Sequence, residues 1–195
     1  EARGRVALDL GASTGGFTEV LLARGAAKVY AVDVGTAQLH AKLRGDARVV
    51  SLEGTDARAL ASGLIGEEVG AIVADLSFIS LEKALPAALR LAAPGAWLIA
   101  LVKPQFEAGR EAVGKGGIVR DPAHRLAALA GVRSFIASTP GWTVTHEMVS
   151  PILGKDGNDT MSGGDIGGGE DTVYEEAAKP TSRVTFTATP LTLTG

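Results

Sequence analysis

Cysteine is missing from the 195 residues, which removes disulfides, thiolate catalysis and zinc–thiolate sites together. No apolar run reaches the roughly eighteen residues a membrane span requires, and no signal-peptide pattern opens the chain, so a soluble cytoplasmic protein is expected. Positive charge is not in excess either. At a formal net charge of −3 the chain is no general glove for nucleic acid, and any RNA contact must come from a local basic patch or from another domain. Two nucleotide-binding devices are also absent. A dinucleotide fingerprint G-x-G-x-x-G started at Gly11 would need glycine where Ser13 stands, and no G-K-[ST] follows to grip phosphates, which disfavours nicotinamide binding and ATP hydrolysis.

What is present is a chain with 46% hydrophobic residues and 26 glycines, enough for one domain with a sizeable core and too little for two ordinary ones. Its organising stretch runs from Val6 to Phe17. A short apolar strand delivers Asp9, then Gly11, Gly15 and Gly16 form a turn that a ligand can approach closely. Phe17, Val20, Leu21 and Arg24 follow at helical spacing, with Gly25 as the stop. Strand, glycine turn and helix make the first half of a nucleotide-binding unit, whose helix start offers free N–H groups to a polar or anionic ligand. Without a phosphate-specific device, the turn suits S-adenosylmethionine, whose amino-acid end carries an ammonium and a carboxylate. A plain strand-to-helix joint would use glycine as well.

The same alternation continues along the chain. Strands are predicted over 28–33, 49–52, 71–75, 96–102 and 142–148. Helical spacing appears over 37–43, weakly around Leu60 to Ile65, over 81–91 with Pro94-Gly95 as its stop, and from the Asp121-Pro122 cap to about Ser138. A doubly wound, mostly parallel α/β sheet with helices on both faces, Rossmann-like, is therefore the expected fold. Arg183–Ala188 alternates like a half-buried strand and could supply a seventh. Ligands in such sheets bind at the carboxyl ends of the strands, where Asp9, Asp33, Asp75 and Lys103 all fall. Asp33, about twenty residues past the glycine loop, is placed to accept from ribose hydroxyls. Asp56 reads equally well as an acceptor for an adenine amino group and as a helix N-cap.

Five motifs carry a resemblance to a known family. D-L-G-A-S-T-G-G-F-T (Asp9–Thr18), A-V-D-V-G (Ala31–Gly35), A-D-L-S-F-I-S-L (Ala74–Leu81), L-V-K-P-Q-F-E (Leu101–Glu107) and V-G-K-G-G-I-V-R-D-P (Val113–Pro122) closely resemble the haemolysin-A-like, or TlyA-type, ribosomal RNA methyltransferases of the FtsJ-like group. The likeness covers about 5–158 and implies methyl transfer from S-adenosylmethionine to a ribose 2′-hydroxyl of ribosomal RNA, with ribosomal RNA or a ribosomal subunit as partner. It implies cofactor contacts from Asp9, Gly11, Ser13, Thr14, Gly15, Gly16, Phe17, Asp33, Val34, Asp56, Ala57 and Asp75. No metal is implied.

The family's catalytic set is Lys-Asp-Lys-Glu. Asp75 matches the aspartate and Lys103 the second lysine, the residue that would take the hydroxyl proton. A lysine must be desolvated or have positive company to serve as a base near neutral pH. The family's first lysine precedes the first strand, where this chain begins at Glu1, and Thr160 stands where its glutamate is expected. Weak catalysis is the resulting expectation, and a catalytically inactive module that binds S-adenosylmethionine or RNA is the alternative. A membrane-acting haemolysin, which the family name suggests, lacks any membrane-inserting stretch.

The sequence divides into a methyltransferase domain over 1–153, a glycine- and aspartate-rich segment over 154–180, expected to be a flexible loop rather than a calcium-binding repeat, and a tail over 181–195. The long loop 104–120 is too long for a mere connection. From Lys103 it sets Lys103, Arg110, Lys115 and Arg120 against Glu107 and Glu111. With Phe106 available to stack on an unpaired base, this is the candidate RNA-facing surface.

Overall fold

A computed structural model describes residues 1–149 and, as backbone, the strand at 184–190. Seven strands form one sheet in the order β3-β2-β1-β4-β5-β7-β6: β1 (Val6–Leu10), β2 (Lys28–Asp33), β3 (Val49–Glu53), β4 (Val69–Ala74), β5 (Ala92–Val102), β6 (Trp142–Val149) and β7 (Val184–Pro190). The first five are parallel, and β7 runs antiparallel between β5 and β6. Strand order reverses between β1 and β4, the place where open α/β sheets leave a crevice for ligands.

The central strands are apolar on both faces because both are covered, and the period of two sorts their side chains cleanly. Leu8 and Leu10 of β1, Tyr30 and Val32 of β2, and Ile72 and Ala74 of β4 join one core. Into it pack Ile65 of α3 (Ser62–Ile65), Leu81 of α4 (Leu81–Ala84), Ala87 and Ala88 of α5 (Pro86–Leu89), and Val132 and Ile136 of α7 (Pro122–Ser138). Ala7, Val29, Ala31, Ala71 and Val73 face the other way, toward Leu21 and Leu22 of α1 (Gly16–Ala23) and Leu43 of α2 (Ala41–Arg44). Asp9 occupies a slot of this second face, so its carboxyl points at α1 rather than at solvent.

Three expectations need correction. The helix over 81–91 is two short turns, since Pro86 has no N–H to bond back to Glu82 and starts a new turn instead. Pro94-Gly95 lies inside β5, not before it. The register jumps there, from Val69 opposite Ala92 to Ala71 opposite Trp97. Gly95 takes φ +76°, and Arg5 Nη1 donates to the carbonyls of Gly70 and Gly95 at 3.0 and 3.1 Å, clipping the bulge in place. The helix expected from residue 37 begins at Ala41. Glu53 Oε1 accepts from the N–H groups of Gln38 and Leu39 at 2.6 and 3.0 Å, which holds 37–40 as a loop and keeps the Glu53 carboxyl below its usual range.

Candidate active site

A cleft of about 1720 Å³ opens at the carboxyl ends of the parallel strands. Its two halves are built differently. The half over β1, β2 and β3 is shaped mainly by main chain. Gly11 follows β1 at φ +81°, and a Cβ there would sit 2.5 Å from the Asp75 carbonyl oxygen, so only glycine lets the β1 and β4 ends touch. Asp33, closing β2, has both carboxylate oxygens held: Ser13 N–H donates to Oδ2 and Gly35 N–H to Oδ1, each at 2.7 Å. The acid is thereby fixed on the cleft wall beside Val34, which is 71% exposed.

Of the residues expected to contact a cofactor, Gly11, Ser13, Asp33, Val34, Asp56, Ala57 and Asp75 line the cleft. Asp9, Thr14, Gly15, Gly16 and Phe17 do not. Gly15 makes room for Leu39 and Leu43, whose side chains a Cβ would strike. Phe17 packs into the second core, Gly16 opens α1, and the Thr14 carbonyl accepts from His40 N–H. Asp9 is fully buried, and its Oδ2 accepts from Thr18 Oγ1 at 2.6 Å. Its Oδ1 has no hydrogen-bond partner among the described residues. Burial, opposed by the Thr18 bonds, pushes this carboxyl up to about 7. Asp56 answers to the capping reading: Oδ1 accepts from Arg58 N–H at 2.8 Å, and the Arg58 guanidinium reaches Oδ2 at 2.6 Å. That pairing holds the Asp56 carboxyl low.

The other half of the cleft is made by side chains bonded to one another. Lys103, at the end of β5, is 3% exposed, and its Nζ lies 2.6 Å from Asp75 Oδ1 at the end of β4. Nζ donates a hydrogen bond to Ser77 Oγ at 3.0 Å. A buried pair of opposite charges gains little net stability, and removing one member is strongly destabilising. Beside it stands Phe78, 90% exposed and at φ +64°. Such a conformation is strained for a bulky residue, and strain of this kind clusters where function demands it. Its ring meets that of Phe106, in α6 (Pro104–Glu107), with centroids 5.2 Å apart. Glu107 also faces the cleft, and its Oε1 accepts from Leu81 N–H at 2.9 Å. Burial, with the charge of Glu82 adding to it, raises this carboxyl to about 7 against the effect of that bond.

Of the surface expected to meet RNA, Phe106 and Arg110 line the cleft, and Lys115 and Arg120 are exposed beyond it. Lys103 is buried, so it cannot serve as a phosphate-binding surface cation. The segment from 104 to 120 is not structureless. It holds α6, a 3₁₀ turn at Arg110–Ala112 and a tight turn closed by Gly114 N–H to the Ile118 carbonyl, which puts Lys115 at its tip. Buried Val119 anchors its end. Residue type alone does not single out Ser77, Phe78 or Glu107, although they stand inside two of the family motifs; the sheet brings those motifs together. Thr160 and the glycine-rich segment lie outside the described residues. Among the described residues no cluster of acids and histidines could hold a metal, and no helix is long and apolar enough to cross a membrane.

The pattern of the FtsJ-like methyltransferases matches residues 1–161. The chain belongs to that family. A 16S/23S rRNA (cytidine-2′-O)-methyltransferase, TlyA of Mycobacterium tuberculosis, is 52% identical over 80% of this chain and 58% of its own length. Hemolysin A of Brachyspira hyodysenteriae is 44% identical over 79% of this chain and 64% of its own. A solved structure named for a hemolysin of Streptococcus thermophilus superimposes with a TM-score of 0.78 at 36% identity, covering 98% of this chain and 61% of that one. The chain thus spans somewhat less than two thirds of these relatives' length. Membership of the FtsJ-like family agrees with the reversal of strand order at β1/β4 and with the pair of polar strand ends, Asp75 and Lys103, facing one cleft.

Proposed function

We propose that this chain carries the catalytic domain of an S-adenosylmethionine-dependent methyltransferase acting on a ribose 2′-hydroxyl of ribosomal RNA, free or in a ribosomal subunit. The observation that supports it most is the buried Lys103–Asp75 pair, 2.6 Å apart, opening onto the same cleft as the Asp33 acid. The residues fit the cofactor. Asp33 presents a carboxylate, held by two main-chain N–H groups, to the two hydroxyls of an adenosine ribose; Val34 gives the adenine an apolar edge; Gly11 keeps the Asp75 end of β4 against β1 beside them. Bound there, S-adenosylmethionine supplies an electrophilic methyl group.

This chain's residues then have three tasks. Phe78 and Phe106 offer aromatic faces at the cleft on which an unpaired base can stack, a contact worth about 1–3 kcal/mol per base. Asp75 and Ser77 hold Lys103 Nζ in place. As the neutral amine, Nζ accepts the 2′-hydroxyl proton while the ribose oxygen forms its bond to the methyl carbon and the sulfur–methyl bond breaks. Relatives named as rRNA (cytidine-2′-O)-methyltransferases support ribosomal RNA as the substrate class.

The test is transfer of a labelled methyl group to ribosomal RNA, followed by alkaline hydrolysis. A 2′-O-methylated linkage resists alkali, so the label is expected in an alkali-resistant dinucleotide. Label released in mononucleotides would place the methyl on a base and overturn the reading.

A further inference from the structure

Glu107 ends α6, but its side chain bonds in another element. Its Oε1 takes the N–H of Leu81, 26 positions away, and Leu81 opens α4, whose Ser80 cap makes no side-chain hydrogen bond. The first N–H groups of a helix have no partners inside it, and one of them is satisfied here by an acid from across the cleft. The bond joins the two segments that form the transfer half. Asp75, Ser77 and Phe78 lie between β4 and α4; Lys103 and Phe106 lie at the end of β5 and in α6. The strained Phe78 therefore sits on a short span fixed at both ends, by Asp75 to Lys103 and by Leu81 to Glu107.

We propose that Glu107 is a positioning residue: through the Leu81 N–H it fixes the segment from Asp75 to Leu81 relative to Lys103 and Phe106, so that the target nucleotide meets a preformed wall. The role in transfer rests on the RNA-methylating reading; the clamp itself does not. What matters is where the acceptor oxygen sits, not the charge. Two substitutions separate these. Glu107→Gln keeps an acceptor at the same reach without charge, and Glu107→Asp keeps the charge one methylene short.

The experiment compares parent, Glu107→Gln, Glu107→Asp and Glu107→Ala in three measurements: exchange of the Leu81 amide hydrogen, affinity for S-adenosylmethionine, and kcat/KM for ribosomal RNA. Leu81 is expected to stay protected in the parent and in Gln, and to exchange faster in Asp and Ala. Transfer should fall about tenfold to a hundredfold in Asp and Ala, the scale of a small misplacement of reacting groups, and remain near parental in Gln. Cofactor affinity should not change in any of them. If Ala fails to fold, the order of Gln and Asp decides. Asp near parental with Gln impaired would assign the role to charge and overturn the proposal, as would unchanged Leu81 protection in Asp. Should the parent transfer no methyl to RNA while Leu81 protection follows the expected order, the clamp stands and the RNA reading fails.

Discussion

The half of the cleft over β1 to β3, proposed to hold the cofactor, and the half over β4 and β5, proposed to carry transfer, share one crevice but are made of different material. Over β1 to β3, glycine geometry and main-chain N–H groups place the Asp33 carboxylate. Over β4 and β5, Lys103 holds Asp75 by an ion pair and Ser77 by a hydrogen bond, Phe78 meets Phe106 in a ring contact, and Glu107 accepts the Leu81 main-chain N–H. The first wall depends on glycines that admit no side chain, whereas in the second the loss of one partner leaves a buried polar group unpaired. Binding and transfer should therefore separate under mutation.

The hardest strain on this comparison is to remove one member of the buried pair. Lys103→Met leaves Asp75 as a buried carboxylate without its cation and should cost about 3–5 kcal/mol of stability. Asp75→Asn added to it should recover much of that loss without recovering transfer. Urea unfolding measures both, and a double variant no more stable than the single would show that the pair is not the coupled unit described.

Asp9 tests whether the cofactor half depends on the acid under its glycine turn. Its folded-state value, about 7, lies above the ordinary 3.8, so its contribution to stability is present below about 4 and is lost as pH rises to about 7. Glu107, raised from 4.5 to about 7, acts in the same direction. The acids held low by their partners, Glu53, Asp56 and Glu67, lose their contribution only at more acid pH. Asp9→Asn should therefore flatten the decline in melting temperature between pH 4 and 7. The gain at pH 8 is on the order of 4 kcal/mol, since a tenfold change in a protonation equilibrium is worth about 1.4 kcal/mol. A variant with the parental slope would show that Asp9 is not the group that titrates.

Asp33→Ala acts on the cofactor half alone. Loss of a charged acceptor for ribose hydroxyls should weaken S-adenosylmethionine by roughly 1.5–3 kcal/mol in calorimetry, with transfer at saturating cofactor much less affected. Equal binding would make Asp33 a loop brace only. The smallest effect is expected at the rim of the transfer half. Replacing Arg110, Lys115 and Arg120 together with glutamine should reduce the salt dependence of RNA binding by about one in log–log slope for each phosphate no longer neutralised. An unchanged slope would remove this loop from the RNA interface.

Each half of the cleft is legible in the sequence only in part, for a physical reason. A glycine turn and an acid twenty residues on are local patterns, and Gly11, Ser13, Asp33 and Val34 stand where those patterns put them. Local pattern also puts Asp9 on the wall, because an alternating strand does not reveal that its polar slot faces Thr18 of α1. Phe78 looks apolar in sequence, and nothing but its exposure and its φ of +64° marks it as displayed. Glu107 reads as a loop acid until the sheet sets β4 beside β5. The clipped bulge at Pro94-Gly95 depends on Arg5, ninety positions from Gly95, which no window of sequence contains.

If one cleft separates cofactor binding from proton removal, Lys103→Arg should divide the two. Arginine can keep a cation beside Asp75 but, always protonated, cannot take a proton from a ribose hydroxyl. Measured side by side, S-adenosylmethionine affinity should be unchanged and methyl transfer to ribosomal RNA should fall by about a hundred- to ten-thousandfold, the usual worth of a positioned base. Transfer by Lys103→Arg at the parental rate would show that Lys103 is not the base.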